Sequence, residues 1–308
     1  MSKIAFLFPG QGSLEAGMGR EIAEYDPAAM RVFDEGSEAA GLDLRRLCFD
    51  AAMEELMETE LQQPAVVATS LAILAALRER GIEADYVVGH SVGEYAALAA
   101  ANALTIPEAI ALVRERGLAT AEAAREHPGS MAAILGLEDE VVEDLCLRIG
   151  SVWPANYNCP GQLVVSGETP SVEECRWKAE LEGARRTVKL KVSGAFHSPL
   201  VAKAAERLRP AIDKVKFAEP VAPFMSTVSA KIEPAQRMGN LLIEQLTGPV
   251  KFTQAARELV KDGVKTFVEV GPSNVLSGLV RRIDENVKAI SINSVSALKK
   301  LEEHLPSA

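Results

Sequence analysis

The chain has 308 residues, a length that suggests one large domain or two unequal ones. Hydrophobic residues make up 48% and charged residues 25%, a balance that permits a packed core and argues against disorder. The net charge of −10, together with the absence of a long basic run, argues against a nucleic-acid binder.

The first half of the chain alternates short apolar strands with helices. Residues 4–8 are predicted to form a strand that ends in the loop Pro9-Gly10-Gln11-Gly12-Ser13, and residues 86–88 a second strand that ends at Gly89. Apolar residues three and four apart predict helices over residues 15–24, 30–40, 52–56, 66–80, 92–103 and 107–126. Such alternation is typical of parallel strand pairing in a three-layer α/β fold.

The pattern changes near residues 127–129. Predicted strands at 130–137, 162–167 and 187–192, with helices at 138–149 and 171–182, resemble a ferredoxin-like insert. The larger pattern then returns, with strands predicted at 224–228, 266–270 and 289–292 and a last helix at 299–305. We therefore predict a large α/β-hydrolase-like domain with a parallel sheet core over residues 1–127 and 195–308. A small ferredoxin-like α+β domain over residues 128–194 interrupts it.

Cysteine usage and hydropathy limit the setting of the protein. The four cysteines form no Cys-x-x-Cys pair and no cluster with histidine, which argues against a metal site or a disulfide framework and fits a reducing cytosol. The first apolar run is too short for a signal peptide, and no stretch approaches the roughly 20 apolar residues of a membrane span. We expect a cytoplasmic protein without a metal or a membrane contact.

The segment Gly89-His90-Ser91-Val92-Gly93 carries the strongest chemical signal. It places a Gly-x-Ser-x-Gly motif between a buried strand and a helix. There the glycines permit a sharp turn that exposes the serine hydroxyl at a helix N-terminus. A tight turn with a serine that caps the helix is the alternative interpretation. The flanking strand and helix favour Ser91 as a nucleophile.

A serine nucleophile needs a base, and the chain has four histidines. His90 adjoins the nucleophile, and adjacent side chains tend to point apart. His197 follows a predicted strand where the chain re-enters the large domain, and His304 in the last helix is its rival. No acid lies between residues 190 and 201. If His197 is the base, a main-chain carbonyl or an amide would orient it in a Ser–His dyad.

Arg116 lies on an apolar face of the predicted helix 107–126, whereas Arg114 lies off that face. A buried arginine needs an anion, and a guanidinium can hold a carboxylate through two parallel hydrogen bonds. The substrate would then carry a carboxylate. An internal salt bridge or a snorkelling side chain is an equally good interpretation of the sequence.

Two loops could stabilise an oxyanion during acyl transfer. Two main-chain N–H groups are the usual donors. Val92 follows the nucleophile and supplies one of them, and Gln11 in the loop after the first strand could supply the other. A glycine-rich turn or a weak phosphate-binding loop is the alternative interpretation of residues 9–13.

Five motifs in a fixed order give the chain its resemblance to a known family. They are Phe8-Pro9-Gly10-Gln11-Gly12-Ser13, Gly89-His90-Ser91-Val92-Gly93-Glu94-Tyr95, Asn158-Cys159-Pro160-Gly161-Gln162, Gly194-Ala195-Phe196-His197-Ser198 and Glu269-Val270-Gly271-Pro272. Together they resemble the malonyl-CoA:acyl carrier protein transacylases and the acyltransferase domains of polyketide synthases. The resemblance spans nearly the whole chain.

The resemblance implies a two-step ping-pong reaction in fatty acid biosynthesis. Ser91, with His197 as base, would take the malonyl group from malonyl-CoA and pass it to the phosphopantetheine thiol of an acyl carrier protein. Arg116 matches the arginine that binds the malonyl carboxylate, and Gln11 and Val92 match the oxyanion-hole positions. A main-chain carbonyl from residues 248–251 would hold His197. No cofactor is expected beyond the carrier's own phosphopantetheine.

The resemblance also bears on selectivity and on partners. The Phe196 ring would leave little room for a methyl branch, a preference worth about 1–3 kcal/mol. Gln63 and Asn158 match positions near the substrate. Because carrier proteins are acidic, we expect the basic residues Arg185, Arg186, Lys189 and Lys191 to border the cleft. Arg281 and Arg282 form a second basic pair, which we expect to follow a helix. We expect a monomer.

Three alternatives remain at this stage. A trans-acting acyltransferase of a polyketide pathway would share the chemistry and differ only in its carrier. A serine esterase or thioesterase would need His304 as the base, with several strands before the serine. A non-catalytic scaffold that binds the carrier would be expected to lack the serine, the histidine or the arginine, and all three are present.

Overall fold

The computed structural model describes residues 3–304, without the side chain of His304, and is built around two sheets. The larger sheet has the strand order β10-β9-β1-β2-β7-β8. Its strands are β1 (Lys3–Phe8), β2 (Tyr86–Gly89), β7 (Phe224–Ser226), β8 (Lys231–Ile232), β9 (Val264–Val270) and β10 (Lys288–Ile292). All neighbours pair in parallel except β7 and β8. The mixed α/β fold with a parallel-rich sheet is as predicted.

The central strands are buried on both faces, which explains why they are continuous apolar runs without alternation. Four of the six residues of β1 and five of the seven residues of β9 are buried. In the register between β1 and β2, Phe8 lies opposite Gly89. The loop after β1 and the turn after β2 therefore leave the sheet side by side, at its carboxyl edge.

Helices cover both faces of the larger sheet. Their bounds are α1 (Arg20–Tyr25), α2 (Pro27–Ala40), α3 (Leu44–Phe49), α4 (Met53–Leu56), α5 (Thr59–Arg78), α6 (Gly93–Ala100), α7 (Ile106–Glu126), α10 (Ala202–Ile212), α11 (Ala235–Thr247), α12 (Phe252–Lys261), α13 (Val275–Ile283) and α14 (Val295–His304). Helix α5 is long and apolar enough to cross a membrane by length and composition, which the sequence analysis did not expect. It is a core helix here, because 89% of its apolar window is buried inside the protein.

The smaller sheet is antiparallel and has the strand order β4-β5-β3-β6. It consists of β3 (Ser130–Leu135), β4 (Val152–Cys159), β5 (Gln162–Gly167) and β6 (Arg186–Lys189), with helices α8 (Asp139–Ile149) and α9 (Thr169–Leu181). The sheet and its helices enclose an apolar cluster of their own. The domain boundaries at residues 127/128 and 194/195 stay predictions.

Several predicted elements were wrong in their bounds. Residues 15–19 form turns, with positive φ at Gly17 and Gly19, so that α1 begins only at Arg20. No range was predicted for α3, β8 or β4, and the apolar pattern of β4 is interrupted by Pro154 and two asparagines. The strand predicted at 187–192 ends at Lys189, and Leu305 of the predicted last helix lies outside the described residues.

Candidate active site

The turn after β2 places Ser91 at the N-terminal end of α6. Ser91 has a φ of 52°, in the left-handed region that a non-glycine residue seldom adopts. The turn requires glycine at positions 89 and 93 because the surrounding main chain leaves no room for a side chain at either position. A Cβ on Gly89 would lie 2.1 Å from the nitrogen of Glu94, and one on Gly93 would lie 2.0 Å from the carbonyl oxygen of Phe8.

His197 reaches the serine from the segment before the 3₁₀ turn Pro199–Val201. Its Nε2 lies 2.7 Å from Ser91 Oγ, and its Nδ1 lies 2.8 Å from the carbonyl oxygen of Gln245 and 3.2 Å from that of Gly248. Carbonyl oxygens only accept, so Nδ1 carries the proton and Nε2 is free to accept one from the serine hydroxyl. Two main-chain carbonyls therefore orient this histidine. That of Gly248 lies in the segment 248–251 that the family resemblance implied, and that of Gln245 lies just before it.

The environment keeps His197 uncharged. Burial, followed by the positive charge of Arg116, lowers the pKa of His197 to about 3. The imidazole is therefore neutral near pH 7, which is the form that a general base requires. His90 is turned away from the serine and its Nε2 lies 2.9 Å from Asn158 Oδ1. The side chain of His304, the rival base, lies outside the described residues.

Arg116 is buried beside the serine and has only neutral partners. It donates from Nη1 to Gln63 Oε1 at 2.7 Å, and from Nη2 to Ser91 Oγ at 3.2 Å and Gln245 Oε1 at 3.0 Å. Its Nε has no partner among the described residues. Among residues 3–304 no acid forms a salt bridge with Arg116. An internal salt bridge therefore does not explain why this arginine is buried. Arg114 donates instead to the carbonyl of Glu60.

The loop after β1 packs directly against the turn that carries the serine. A Cβ on Gly10 would lie 2.5 Å from the carbonyl oxygen of His90. The Gln11 side chain meets Gln63, whose Nε2 lies 3.4 Å from Gln11 Oε1. Gln11 and Ser91 line the same cavity, and Val92 follows the serine directly in the chain, so the oxyanion-hole role of Gln11 and Val92 stays a prediction.

Two adjoining cavities lie at the site, and Ser91 lines the smaller one. A small one of about 80 Å³ is lined by Gln11, His90, Ser91, Arg116, Met131, Asn156, Leu190, Val192, Phe196 and His197. A larger one of about 460 Å³ shares Gln11, His90 and Asn156 with it, and Asn158, Lys191 and Val275 also line it. Ser91, His197, Arg116, Gln11 and Phe196 therefore meet at the small cavity, and Asn158 lies in the larger one. Gln63 contacts the site only through Arg116 and Gln11.

Gln245 was not predicted as a site residue, and Glu94 was given no role. Both are fully buried, and a buried polar residue on the apolar face of an amphipathic helix is the signal that could have found Gln245. No group of three or more His, Cys, Asp or Glu that could hold a metal ion occurs in residues 3–304.

Comparisons with known proteins show which family the chain resembles. The model of the acyl transferase domain family matches residues 5–303. The malonyl CoA-acyl carrier protein transacylase of Bacillus subtilis is 43% identical over 97% of this chain and 96% of its own length. A crystal structure of the corresponding Xanthomonas oryzae enzyme has a TM-score of 0.95 at 36% identity, covering 99% of this chain and 98% of its own. A malonyl-transacylase in complex with a holo type II polyketide synthase acyl-carrier protein has a TM-score of 0.95 at 35% identity. That match covers 99% of this chain and 100% of its own.

Proposed function

The chain belongs to the acyl transferase domain family, and we propose that it transfers a malonyl group from malonyl-CoA to the phosphopantetheine thiol of an acyl carrier protein. One observation carries the proposal. A serine hydroxyl 2.7 Å from a neutral histidine also lies 3.2 Å from a buried arginine that has no carboxylate partner among the described residues. A nucleophile, its base and an unpaired anion site thus share one small cavity.

In the first step Ser91 Oγ attacks the thioester carbonyl while Nε2 of His197 takes the hydroxyl proton. Negative charge moves to the carbonyl oxygen, where the N–H groups of Gln11 and Val92 stabilise it. Loss of one such donor typically lowers the rate roughly 100-fold. Collapse of the tetrahedral intermediate breaks the carbon–sulfur bond, and His197 returns its proton to the departing CoA thiolate. The product is a malonyl ester of Ser91.

The second step is the same reaction with a different thiol. The carrier's phosphopantetheine thiol gives its proton to His197 and attacks the ester carbonyl. The carbon–oxygen bond to Ser91 then breaks, and the proton passes from His197 to the serine oxygen. Because donor and acceptor occupy the same site in turn, the mechanism is ping-pong.

Arg116 and Phe196 give the site its preference for malonyl. The guanidinium binds the free carboxylate of the malonyl group and holds the ester while the thiols exchange. The Phe196 ring lines the small cavity, where it opposes a methyl branch on the acyl chain. One methyl group is worth about 1–3 kcal/mol in such a pocket, so this is a preference rather than a complete exclusion.

The larger cavity suits the pantetheine arm that both substrates share. It runs from Gln11 and His90 to the exposed Lys191 and Val275. Arg185 and Arg186 are exposed and precede Lys191 by a few residues in the chain. Lys189 is also exposed, but its Nζ lies 3.3 Å from Glu173 Oε1. Arg281 and Arg282 lie inside α13 rather than after it, and Arg282 donates to Gln162, another residue of this cavity. The proposal takes the exposed Arg185, Arg186 and Lys191 as the basic surface that an acidic carrier would approach.

We propose that the carrier is the acyl carrier protein of fatty acid biosynthesis. The relative in complex with a polyketide carrier supports the alternative of a trans-acting enzyme in a polyketide pathway. Equal rates with a fatty acid carrier and a polyketide carrier would leave both roles open to the protein, and a large preference would assign one. A cytoplasmic location, a monomeric state and the lack of a bound cofactor stay predictions.

Isotope exchange tests the proposal most simply. With labelled CoA and unlabelled malonyl-CoA, and no carrier present, a ping-pong enzyme should incorporate label into malonyl-CoA. An esterase would instead hydrolyse malonyl-CoA without exchange, and a scaffold would do neither. Absence of exchange in a folded protein would therefore contradict the proposed function.

A further inference from the structure

Glu94 is a fully buried acid to which the proposed mechanism gives no role. It lies three residues after Ser91, in the first turn of α6. Its Oε1 accepts hydrogen bonds from the main-chain N–H of Thr227 at 2.7 Å and the hydroxyl of Thr227 at 2.9 Å, with the hydroxyl of Ser226 at 3.2 Å. Its Oε2 accepts from the side-chain amide of Gln245. Every contact is one that a carboxylate accepts, so the structure fits the ionised acid.

Gln245 connects this acid to all three groups of the proposed mechanism. Its Nε2 donates to Glu94 and, at 2.9 Å, to the carbonyl oxygen of Ser91. Its Oε1 accepts from Arg116 and its main-chain oxygen accepts from His197. With two acceptors facing Nε2, only one orientation of the amide places its oxygen on the arginine.

We propose that Glu94 is a positioning residue that fixes the Gln245 amide and thereby aims Arg116 at the substrate carboxylate. The inference rests on the proposed function. Without an acceptor at Glu94, only the carbonyl oxygen of Ser91 still favours this orientation, and the amide can turn over and present its NH₂ group to the guanidinium, where two donors would face each other. Glu94 also supplies the negative charge that acts on Arg116 from behind the amide.

The charges around Glu94 make its role sensitive to pH. Burial raises the pKa of Glu94 to about 7, against the hydrogen bonds from Thr227, Gln245 and Ser226 that lower it. The other charged or titratable groups that interact with it are Arg116 on α7 and the adjacent Tyr95. Protonation of Oε2 turns the oxygen that faces the Gln245 amide into a hydroxyl, which weakens its hold on the amide. Binding of the malonyl carboxylate should therefore weaken as the pH falls through this range.

The variant Glu94→Gln tests the assignment, with Glu269→Gln as its matched control. Glu269 is also fully buried and accepts from Ser273 and Ser277, but it makes no hydrogen bond to the site. We expect Glu94→Gln to lower kcat/KM for malonyl-CoA roughly 10- to 100-fold and to lower that for acetyl-CoA much less. The pH dependence of malonyl transfer between pH 6 and 8 should flatten. Glu269→Gln should keep the wild-type ratio of the two substrates and the wild-type pH profile.

A neutral sulfonyl fluoride separates positioning of the arginine from damage to the nucleophile. Its reaction with Ser91 needs the hydroxyl and His197 but no carboxylate site, so labelling of Glu94→Gln should stay close to wild type. Equal losses with malonyl-CoA, acetyl-CoA and the sulfonyl fluoride would overturn the proposal, and so would an unchanged substrate ratio. Failure of the proposed function differs from both, because wild-type protein would then show no malonyl transfer at all.

Gln245→Leu provides a second route should Glu94→Gln not fold. This variant keeps the main-chain carbonyl that holds His197 but removes the amide. It should reproduce the selective loss of malonyl transfer, and in the double variant the two losses should not add. Additive losses, or a Gln245→Leu protein with wild-type selectivity, would show that Glu94 does not act through the amide.

Discussion

Arg116 is an uncommon residue, a fully buried cation whose hydrogen-bond partners are two glutamine amides and a serine hydroxyl. Burial lowers its pKa from the ordinary value. Unpaired buried charge is costly, so a protein keeps it where a ligand supplies the opposite charge. The sequence predicted only that Arg116 lies on an apolar stripe at helical spacing, and it left an internal salt bridge equally open.

Replacement of Arg116 by alanine tests the carboxylate site at the scale of one residue. We expect kcat/KM for malonyl-CoA to fall roughly 100-fold, since a charged hydrogen-bonded pair worth about 3 kcal/mol is lost. Transfer from acetyl-CoA, which has no carboxylate, should fall far less. Parallel steady-state measurements with the two thioesters give the ratio, and Arg114→Ala is the matched control on the same helix. Equal losses for both substrates in Arg116→Ala would remove the carboxylate role.

The remaining site residues differ in how far the sequence could foresee them. Ser91 and His197 were predictable from a glycine-flanked turn and from the small number of histidines. Gln245 was not, because its role depends on three contacts to segments 129 to 154 residues away, which only the tertiary structure brings together. Asn158 was expected near the substrate, and the structure places it against His90.

At the scale of elements, the site is assembled from the ends of two neighbouring parallel strands and one distant helix. The loop after β1 and the turn after β2 start from paired residues, Phe8 and Gly89, so their main chains lie close together. The C-terminal end of α11 then brings two carbonyls to His197. Short apolar runs and glycine positions predicted the first two pieces. No local pattern indicated that α11 ends at the base, and only the family resemblance implied a carbonyl from residues 248–251.

The glycine turn provides a prediction for this scale. Gly93→Ala should destabilise the protein by roughly 1–3 kcal/mol, because the new Cβ would lie 2.0 Å from the Phe8 carbonyl and force the two loops apart. Activity should fall with it, since Ser91 moves relative to the N–H of Gln11. Gly278→Ala in α13 is the matched control: a Cβ there meets nothing within 4 Å. It should stabilise the helix by roughly 0.5–1 kcal/mol.

Urea unfolding measures both variants. A Gly93→Ala protein as stable and active as wild type would show that the close packing of the two loops is not needed.

The strand β4, which was not predicted, shows at this scale why some elements escape sequence reasoning. Its Pro154 and its asparagines weakened the strand pattern, yet Asn156 and Asn158 face the two cavities, so the residues that disturb the local signal are the ones that line the site.

At the scale of the whole molecule, pH links the site to stability. Unfolded His197 binds a proton below its ordinary pKa of 6.5, whereas the folded form stays neutral down to about pH 3. The unfolded state binds more protons in this window, so the contribution is present above pH 6.5 and is lost as the pH falls. We expect the His197 contribution to fall by about 2 kcal/mol between pH 6.5 and pH 5, whereas Glu94, with its pKa raised to about 7, acts in the opposite direction over this window.

His197→Ala isolates this contribution. The variant should lose less unfolding free energy than wild type between those two pH values, whereas replacement of the exposed His127 by alanine should leave the wild-type slope. Urea midpoints at the two pH values give the comparison. Identical slopes for wild type and His197→Ala would mean that the histidine is not held neutral in the folded protein.

The overall charge of −10 should repel an acidic carrier, so docking depends on a local basic surface. Reversal of Arg185 and Arg186 to glutamate should raise the carrier's KM roughly fivefold while leaving CoA exchange unchanged, because CoA exchange needs no carrier. The exposed pair Lys214 and Lys216 lines neither cavity, and its reversal to glutamate is the control. An unchanged KM for the Arg185/Arg186 variant would remove this surface from the docking site.

The central claim is that a malonyl group rests covalently on Ser91 between two thiols. Intact-mass measurement after mixing with malonyl-CoA, without carrier, tests it directly. Wild-type protein should gain the mass of one malonyl group and lose it when holo carrier is added, and Ser91→Ala should gain nothing. A wild-type protein that stays unmodified while transferring malonyl, or a Ser91→Ala protein that still acquires the adduct, would contradict the account.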